Sequence, residues 1–421
     1  RDVLGSRGLG DVYKRQIIGY SWEDNQYSSH EAKVLDFAVS SMGANNLQTG
    51  NKLDVGNVKS DKNDYKLISM FARAHYSYKE RYMITATVRR DGSSKFGANN
   101  KWGTFPSVSA AWGISEEAFM QDVNWLTDLK LRAGYGITGN QDGLQPYKSI
   151  ELYEAKGTYY SDGSQLTAFR VSQNANPDLK WEKTGQFDIG FDLGLFNNRL
   201  RLTADYYYKK TTDLLYNVAI PSASGYDSML KNIGSAQNKG YELSIESDNL
   251  SGAFSWTTAF NISFNRNKVL ELGGETYKDV GTYDDHLKTS DIRRLIVGQP
   301  IGVFYGYRFD GIFQNEAECA QQTSSPSPIG VGLRRYKDLN GDGKIDATND
   351  REILGDANPK FFGGMTNTFA YKGFELNVFL QYSYGNKIFN YNAMELESPT
   401  GGQNVYQDLV NRWTPTNPSN E

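Results

Sequence analysis

The residues best suited to chemistry lie in one run, Asp338-Leu-Asn340-Gly-Asp342-Gly343-Lys344-Ile-Asp346-Ala-Thr-Asn-Asp350. Side-chain oxygens recur at its first, third, fifth and ninth positions, with Asp350 beyond them. Lys344 stands where a calcium loop offers a backbone carbonyl, and Gly343 where such a loop turns sharply. Hard oxygen donors without sulfur or imidazole favour Ca²⁺ over transition metals. The metal set read from the sequence is therefore Asp338, Asn340, Asp342, Lys344, Asp346 and Asp350. One departure stands out. A 12-residue loop puts Asn349 at the bidentate position, and the carboxylate, Asp350, comes one residue later. The same composition also makes an Asp/Asn/Gly turn with no ion.

Other candidates are diffuse. His30, His75 and His286 have no metal spacing, and Cys319, the only cysteine, sits in a polar stretch. Asp188, Asp192, Arg201, Asp205, Glu242 and Glu246 suit a hydrophilic conduit, or simply the polar lining of a barrel. Tyr147, Tyr153, Tyr159, Tyr160 and Trp181 suit stacking on sugar rings, or loop packing. No pair of acids carries a motif that marks a hydrolase, and no covalent chemistry is expected.

Composition narrows the class. The 421-residue chain has a formal charge of −4, so no basic surface speaks for nucleic acid. Hydrophobic residues make up 38%, and mean hydropathy is −0.60. No run approaches the ~18 apolar residues of a membrane helix. That excludes a helical membrane protein but not a barrel, whose alternating strands average out polar.

Alternation is the dominant pattern. In residues 186–209, Phe187, Ile189, Phe191, Leu193, Leu200, Leu202 and Ala204 alternate with Asp188, Asp192, Arg201 and Asp205 around Asn197-Asn198. Strand side chains point to opposite faces in turn, and Asn tolerates the left-handed turn conformation. This is a long hairpin with an apolar, lipid-type face and a polar, lumen-type face. Similar strands are read at 18–27, 67–78, 82–90, 103–114, 129–137, 241–245, 254–264, 361–371 and 374–384, with more inside 301–312, giving about twelve. Residues 115–120 read as a helical turn capped by Ser115. Connections are short at 79–80, 197–198, 251–252 and 372–373, and intermediate at 115–127. They are long at 91–101, 138–180, 210–232 and 266–358. Short turns on one rim and long loops on the other suit an outer-membrane barrel. A soluble sandwich or solenoid also alternates, but its strands usually run ~5–6 residues. By the same parity the 338–350 loop lies on the long-loop side.

Several blocks then carry a resemblance. Arg89-Arg-Asp-Gly-Ser-Ser-Lys-Phe-Gly97, Trp102-Gly-Thr-Phe-Pro-Ser-Val-Ser109, Leu131-Arg-Ala-Gly-Tyr-Gly-Ile-Thr-Gly-Asn-Gln141 and Asn176-Pro-Asp-Leu-Lys-Trp-Glu-Lys183 resemble the SusC/RagA family of TonB-dependent outer-membrane transporters. So do Asn238-Lys-Gly-Tyr-Glu242, Gly306-Tyr-Arg-Phe-Asp-Gly-Ile-Phe313 and Pro359-Lys-Phe-Phe-Gly-Gly364. The resemblance implies an all-β chain, part of a transmembrane antiparallel barrel of roughly 22 strands, with long extracellular loops and short periplasmic turns. It implies an outer-membrane importer, here read as one for oligosaccharides, energised through TonB and paired with a SusD-like surface lipoprotein. A peptide importer of the same build is the alternative, and a non-transporting adhesion or structural β protein is a second. Residues 1–16 resemble translated sequencing-adapter sequence and are set apart. Residues 17–421 are read as an incomplete barrel without plug or TonB box, and such a piece is expected not to seal a pore alone, because its sheet edges stay unpaired in hydrocarbon.

The calcium reading has a direct check. Excess Ca²⁺ is expected to slow amide exchange across 338–350, and identical protection with and without the ion refutes it.

Overall fold

The computed structural model describes the chain except residues 1–11, 38, 40–44, 54–56, 222, 224, 227, 281–291, 398–403 and 421. His286 lies outside the described residues. Eleven strands form the main sheet: β1 (Val12–Ala32), β2 (Val58–Tyr78), β3 (Tyr82–Ser93), β4 (Trp102–Gly113), β5 (Leu126–Asn140), β6 (Glu182–Leu195), β7 (Leu200–Ala219), β8 (Ser228–Leu250), β9 (Phe254–Leu272), β10 (Phe361–Tyr371) and β11 (Phe374–Tyr384). Their order in the sheet is their order in the chain, with β1 and β11 at its ends. The pairs β1–β2, β2–β3, β3–β4, β9–β10 and β10–β11 are antiparallel in unbroken register. Val12–Gln16, set apart in the sequence, run opposite Tyr78–Ala74 as the start of β1.

The short turns form where the chain accepts positive φ. Lys79 and Glu80 adopt 52° and 56°, Asn197 and Asn198 60° and 61°, and Lys372 and Gly373 46° and 84°. Such left-handed pairs match the twist of the flanking strands and hold each hairpin in register. The 114–125 connection is built differently from the sequence expectation. Two 3₁₀ turns, Ile114–Glu116 and Ala118–Met120, replace one helical turn, and the N-cap is Gly113, not Ser115. Its anchor is Glu117: Oε1 accepts from the Tyr82 hydroxyl at 2.5 Å and Trp112 Nε1 at 3.0 Å, and Oε2 lies 3.4 Å from Arg81 Nη1.

Three expectations change. The main sheet has eleven strands where about twelve were read, and Val303–Tyr307 and Phe309–Ile312, inside the 266–358 connection, pair apart from it. The first joins Tyr277–Asp279, Arg293–Ile296 and Arg351–Asp356 in a four-stranded sheet, and the second pairs with Arg334–Tyr336. The connection read as 210–232 shrinks to 220–227, because β7 and β8 run 20 and 23 residues. A membrane strand needs only ~9–11 residues, so pairing continues past the point where the apolar face stops. Likewise β2 begins at Val58, ahead of the strand read at 67–78.

The chain divides into two compact units: residues 1–117, 132–187 and 211–234, and residues 118–131, 188–210 and 235–421. The second unit carries a well-defined membrane face. At one end of its strands Phe254 sits opposite Tyr371, which pairs with Phe374. Phe369 stacks on Phe254 and Trp256 at 6.3 and 5.7 Å. At the other end Phe361 packs on Phe264 at 5.9 Å and on Tyr384 at 5.2 Å. Phe260, Met365 and Leu380 share the middle rung. Ten residues of strand span roughly 33 Å, or about 25 Å at barrel tilt, which is the height of an outer-membrane apolar band between aromatic girdles. The polar groups on this face satisfy one another. Trp256 Nε1 and Thr258 Oγ1 donate to Asn367 Oδ1 at 3.0 and 2.7 Å, and Asn249 Nδ2 donates to Thr258 Oγ1 at 2.7 Å. Hydrocarbon leaves them no other partner.

Depth on this face sets a measurable difference. In the complete protein, Met365→Arg on the middle rung is expected to cost ~2–4 kcal/mol, and Leu202→Arg, two residues from the short-turn end of its strand, about 1 or less. Denaturant titration in bilayers checks both, and equal, negligible costs place the face outside lipid.

Candidate functional site

The polar face of the 186–209 hairpin is assembled as the alternation requires. Thr203 Oγ1 donates to Asp192 Oδ1 at 3.1 Å, and Arg201 Nη2 pairs with Glu246 at 2.9 Å. A Cβ at Gly190 would lie 2.0 Å from Asp205 Oδ1, so glycine makes room for that carboxylate. On the opposite face Tyr206 packs against Tyr241 at 5.0 Å. His75 Nδ1 pairs with Thr85 Oγ1 at 2.8 Å.

The aromatic group expected at 147–181 does not gather in one place. Tyr153, Tyr159 and Tyr160 stand exposed on the hairpin Leu152–Ser161 and Ser164–Gln173. The Tyr147 hydroxyl is bound to Asp64 Oδ1 at 2.5 Å. Trp181 is 4% exposed and leaves the group altogether. A bulky ring beside a buried loop gains more from packing than from solvent.

Around 338–350 the acids bind backbone amides. Asp338 accepts from Gly341 N at 2.6 Å and Gly343 N at 2.8 Å, and Asp342 Oδ1 accepts from Lys344 N at 2.8 Å. Asn340 Oδ1 accepts from Asp342 N at 3.2 Å. Asp346 Oδ1 accepts from Asn349 N and Thr348 N, which hold its carboxyl below the usual range. Asp350 is fully buried, and its two oxygens accept from Leu339 N and Asp346 N at 2.8 and 2.9 Å. Gly341 and Gly343, both at φ 76°, supply the turn. Among the described residues no three His, Cys, Asp or Glu side chains gather as a metal-holding group. Asp346 Oδ1 accepts two amides, whereas the two oxygens of Asp338 and of Asp350 each accept one. Cys319 is buried in the helix Glu316–Cys319, and burial raises its thiol pKa.

Four of the blocks that carry the family resemblance, 89–97, 102–109, 131–141 and 176–183, meet at one buried cluster in the first unit. Gly97 N donates to Leu179 O at 2.9 Å, and Asn99 N to Pro177 O at 3.1 Å. The side chains of Asn99 and Asn100 hold Asp178 at 2.7 and 2.9 Å. Phe96, Phe105, Leu144, Leu179 and Trp181 close the core over this zipper, with Trp181 4.5 Å from Phe96 and 5.5 Å from Phe105. Trp181 Nε1 donates to Lys101 O at 3.2 Å. Arg89 Nε reaches both Asp91 oxygens at 2.8 Å, and Nη2 donates to Ser69 at 2.9 Å. Composition gave no sign that blocks 80 residues apart form one joint; the glycine and the Asn-Pro-Asp turn were the available signal.

The family described as "TonB dependent receptor-like, beta-barrel" matches residues 5–396. The chain belongs to the TonB-dependent receptor β-barrel family. It is 40% identical to a TonB-dependent receptor of Formosa agariphila over 406 residues, covering 95% of this chain and 39% of that one. It is 34% identical to the TonB-dependent receptor SusC of Bacteroides thetaiotaomicron over 331 residues, covering 77% and 32%. The solved RagAB peptide transporter aligns at a TM-score of 0.79 and 26% identity, covering 97% of this chain and 43% of that one. The chain therefore spans about a third to two fifths of the length of these relatives. As a TonB-dependent receptor barrel of SusC/RagA type it is an outer-membrane protein and not an enzyme. No described helix is long and apolar enough to cross a membrane, and the crossing is made by strands.

The zipper joint gives a specific expectation. A Cβ at Gly97 would sit 2.1 Å from Pro177 O, so Gly97→Ala must push the two loops apart and cost about 1–3 kcal/mol. A thermal melt of the complete protein checks it, and an unchanged midpoint refutes the joint.

Proposed function

We propose that this chain is barrel wall from an active importer of oligosaccharides across the outer membrane. The whole protein would draw energy through TonB and work with a SusD-like lipoprotein at the cell surface. The supporting observation is the two-faced wall. One face is apolar and bounded by aromatic rows, and the other carries Asp192, Arg201 and Glu246 in hydrogen bonds and an ion pair. A conduit for a hydrophilic ligand needs both faces. An adhesion protein needs no hydrophilic lining along its membrane strands.

A peptide cargo is the second reading, favoured by the likeness to the RagAB peptide transporter. In both readings the 338–350 loop is a calcium site on the extracellular side, where affinities of ~10⁻⁴–10⁻³ M suffice. Deleting the complete gene is expected to abolish growth on one defined glycan and leave growth on peptides intact. Loss on peptides alone selects the second reading, and undiminished growth on both refutes import.

A further inference from the structure

A cavity of about 340 Å³ lies on the long-loop side of the first unit. Three segments build it: residues 143–148 after β5, residues 172–176 where the 164–173 strand returns toward the Asn-Pro-Asp turn, and the ends of β7 and β8 at Asn217 and residues 228–230. Leu144, Met229 and Leu230 give it an apolar floor. The remaining wall is amides and hydroxyls with one charged side chain, Lys148, and no carboxylate or aromatic ring lines it.

Two amides are committed to the frame. Gln173 Nε2 donates to Tyr147 O and Ile150 O at 2.9 and 2.7 Å, and Asn176 Nδ2 to Leu230 O at 2.7 Å. These bonds fix the wall. Gln145, Lys148, Asn174 and Ser228 differ: among the described residues their side chains make no hydrogen bond or ion pair. A half-buried ammonium without an internal counter-ion is best satisfied by an anion, and a charge-assisted bond is about twice as strong as a neutral one. The neighbouring amides and hydroxyl offer donors and acceptors to a chain of hydroxyls or peptide groups. Without a ring in the wall, recognition rests on that charge and those hydrogen bonds.

We infer that this cavity is a binding subsite for a carboxylate-bearing oligomer, its carboxylate on Lys148 Nζ and its adjoining polar groups on Gln145, Asn174 and Ser228. The inference deepens the importer reading and rests on it only for the ligand's onward path. The carboxylate could belong to an acidic sugar or to an acidic peptide, and one experiment separates the two sources.

The complete protein in detergent is titrated calorimetrically with trigalacturonate against neutral galactotriose, and with an aspartate-containing tetrapeptide against its asparagine twin. One acidic ligand is expected to bind roughly tenfold tighter than its neutral partner, the range of a hydrogen bond to a charged group. That preference should vanish in Lys148→Met, return in Lys148→Arg and weaken with salt, while heat-modifiable migration shows both variants folded. The pair that responds names the source. No charge preference in either pair, or a preference that survives Lys148→Met, overturns the subsite. Binding as described in a protein that supports no uptake overturns the importer reading alone.

Discussion

Hydrocarbon offers a backbone amide nothing to bond to, and the rest of this structure depends on that constraint. Each N–H and C=O at membrane depth must find a partner within the protein. A run of polar-average strands can meet the demand only by pairing edge to edge, which the meander from β1 to β11 does. Alternation follows from the same geometry. A strand has two faces, so a wall between lipid and water needs apolar residues at every second position. Even the few polar side chains on the apolar face obey the rule: Asn249, Thr258, Trp256 and Asn367 bond to one another.

Long-range order at the extracellular side comes from a different source. There water is available, and the loops need tertiary packing to hold one shape. The joint of Gly97 with Pro177 and Leu179 supplies it, because only a glycine admits so close a backbone approach. Once the two loops are zipped, Phe96, Leu179 and Trp181 are sealed from solvent. The frame of the Lys148 cavity grows from the same region, since Asn176 opens the turn and also bonds to Leu230.

Between β9 and β10 the chain makes a second kind of structure. The short strands Tyr277–Asp279, Arg293–Ile296, Val303–Tyr307 and Arg351–Asp356 form a sheet apart from the wall. They are fastened by Arg294, which is 7% exposed, lies 3.9 and 4.1 Å from the ring centroids of Tyr277 and Tyr305, and is bonded twice to Asp279. The Asp338 turn follows from the same local logic. Its acids order a tight glycine-rich loop by accepting its amides, whether or not a cation joins them.

The sequence by itself determined the hairpins, the membrane face and the family. Period-two alternation and left-handed turn residues are local signals, legible wherever the apolar face is continuous. It fell silent where that face ended, so the outer reaches of β7 and β8 and the start of β2 read as loop. It placed the strands of 301–312 inside the long 266–358 connection but not the sheets they join, because short apolar strands look alike whichever partner they take. It grouped Trp181 with the loop tyrosines. Only the tertiary structure decided that Trp181 closes a core. The reason is physical: alternation is written into neighbouring residues, but a buried joint or a cavity is made by segments 80 residues apart, whose meeting no local pattern records.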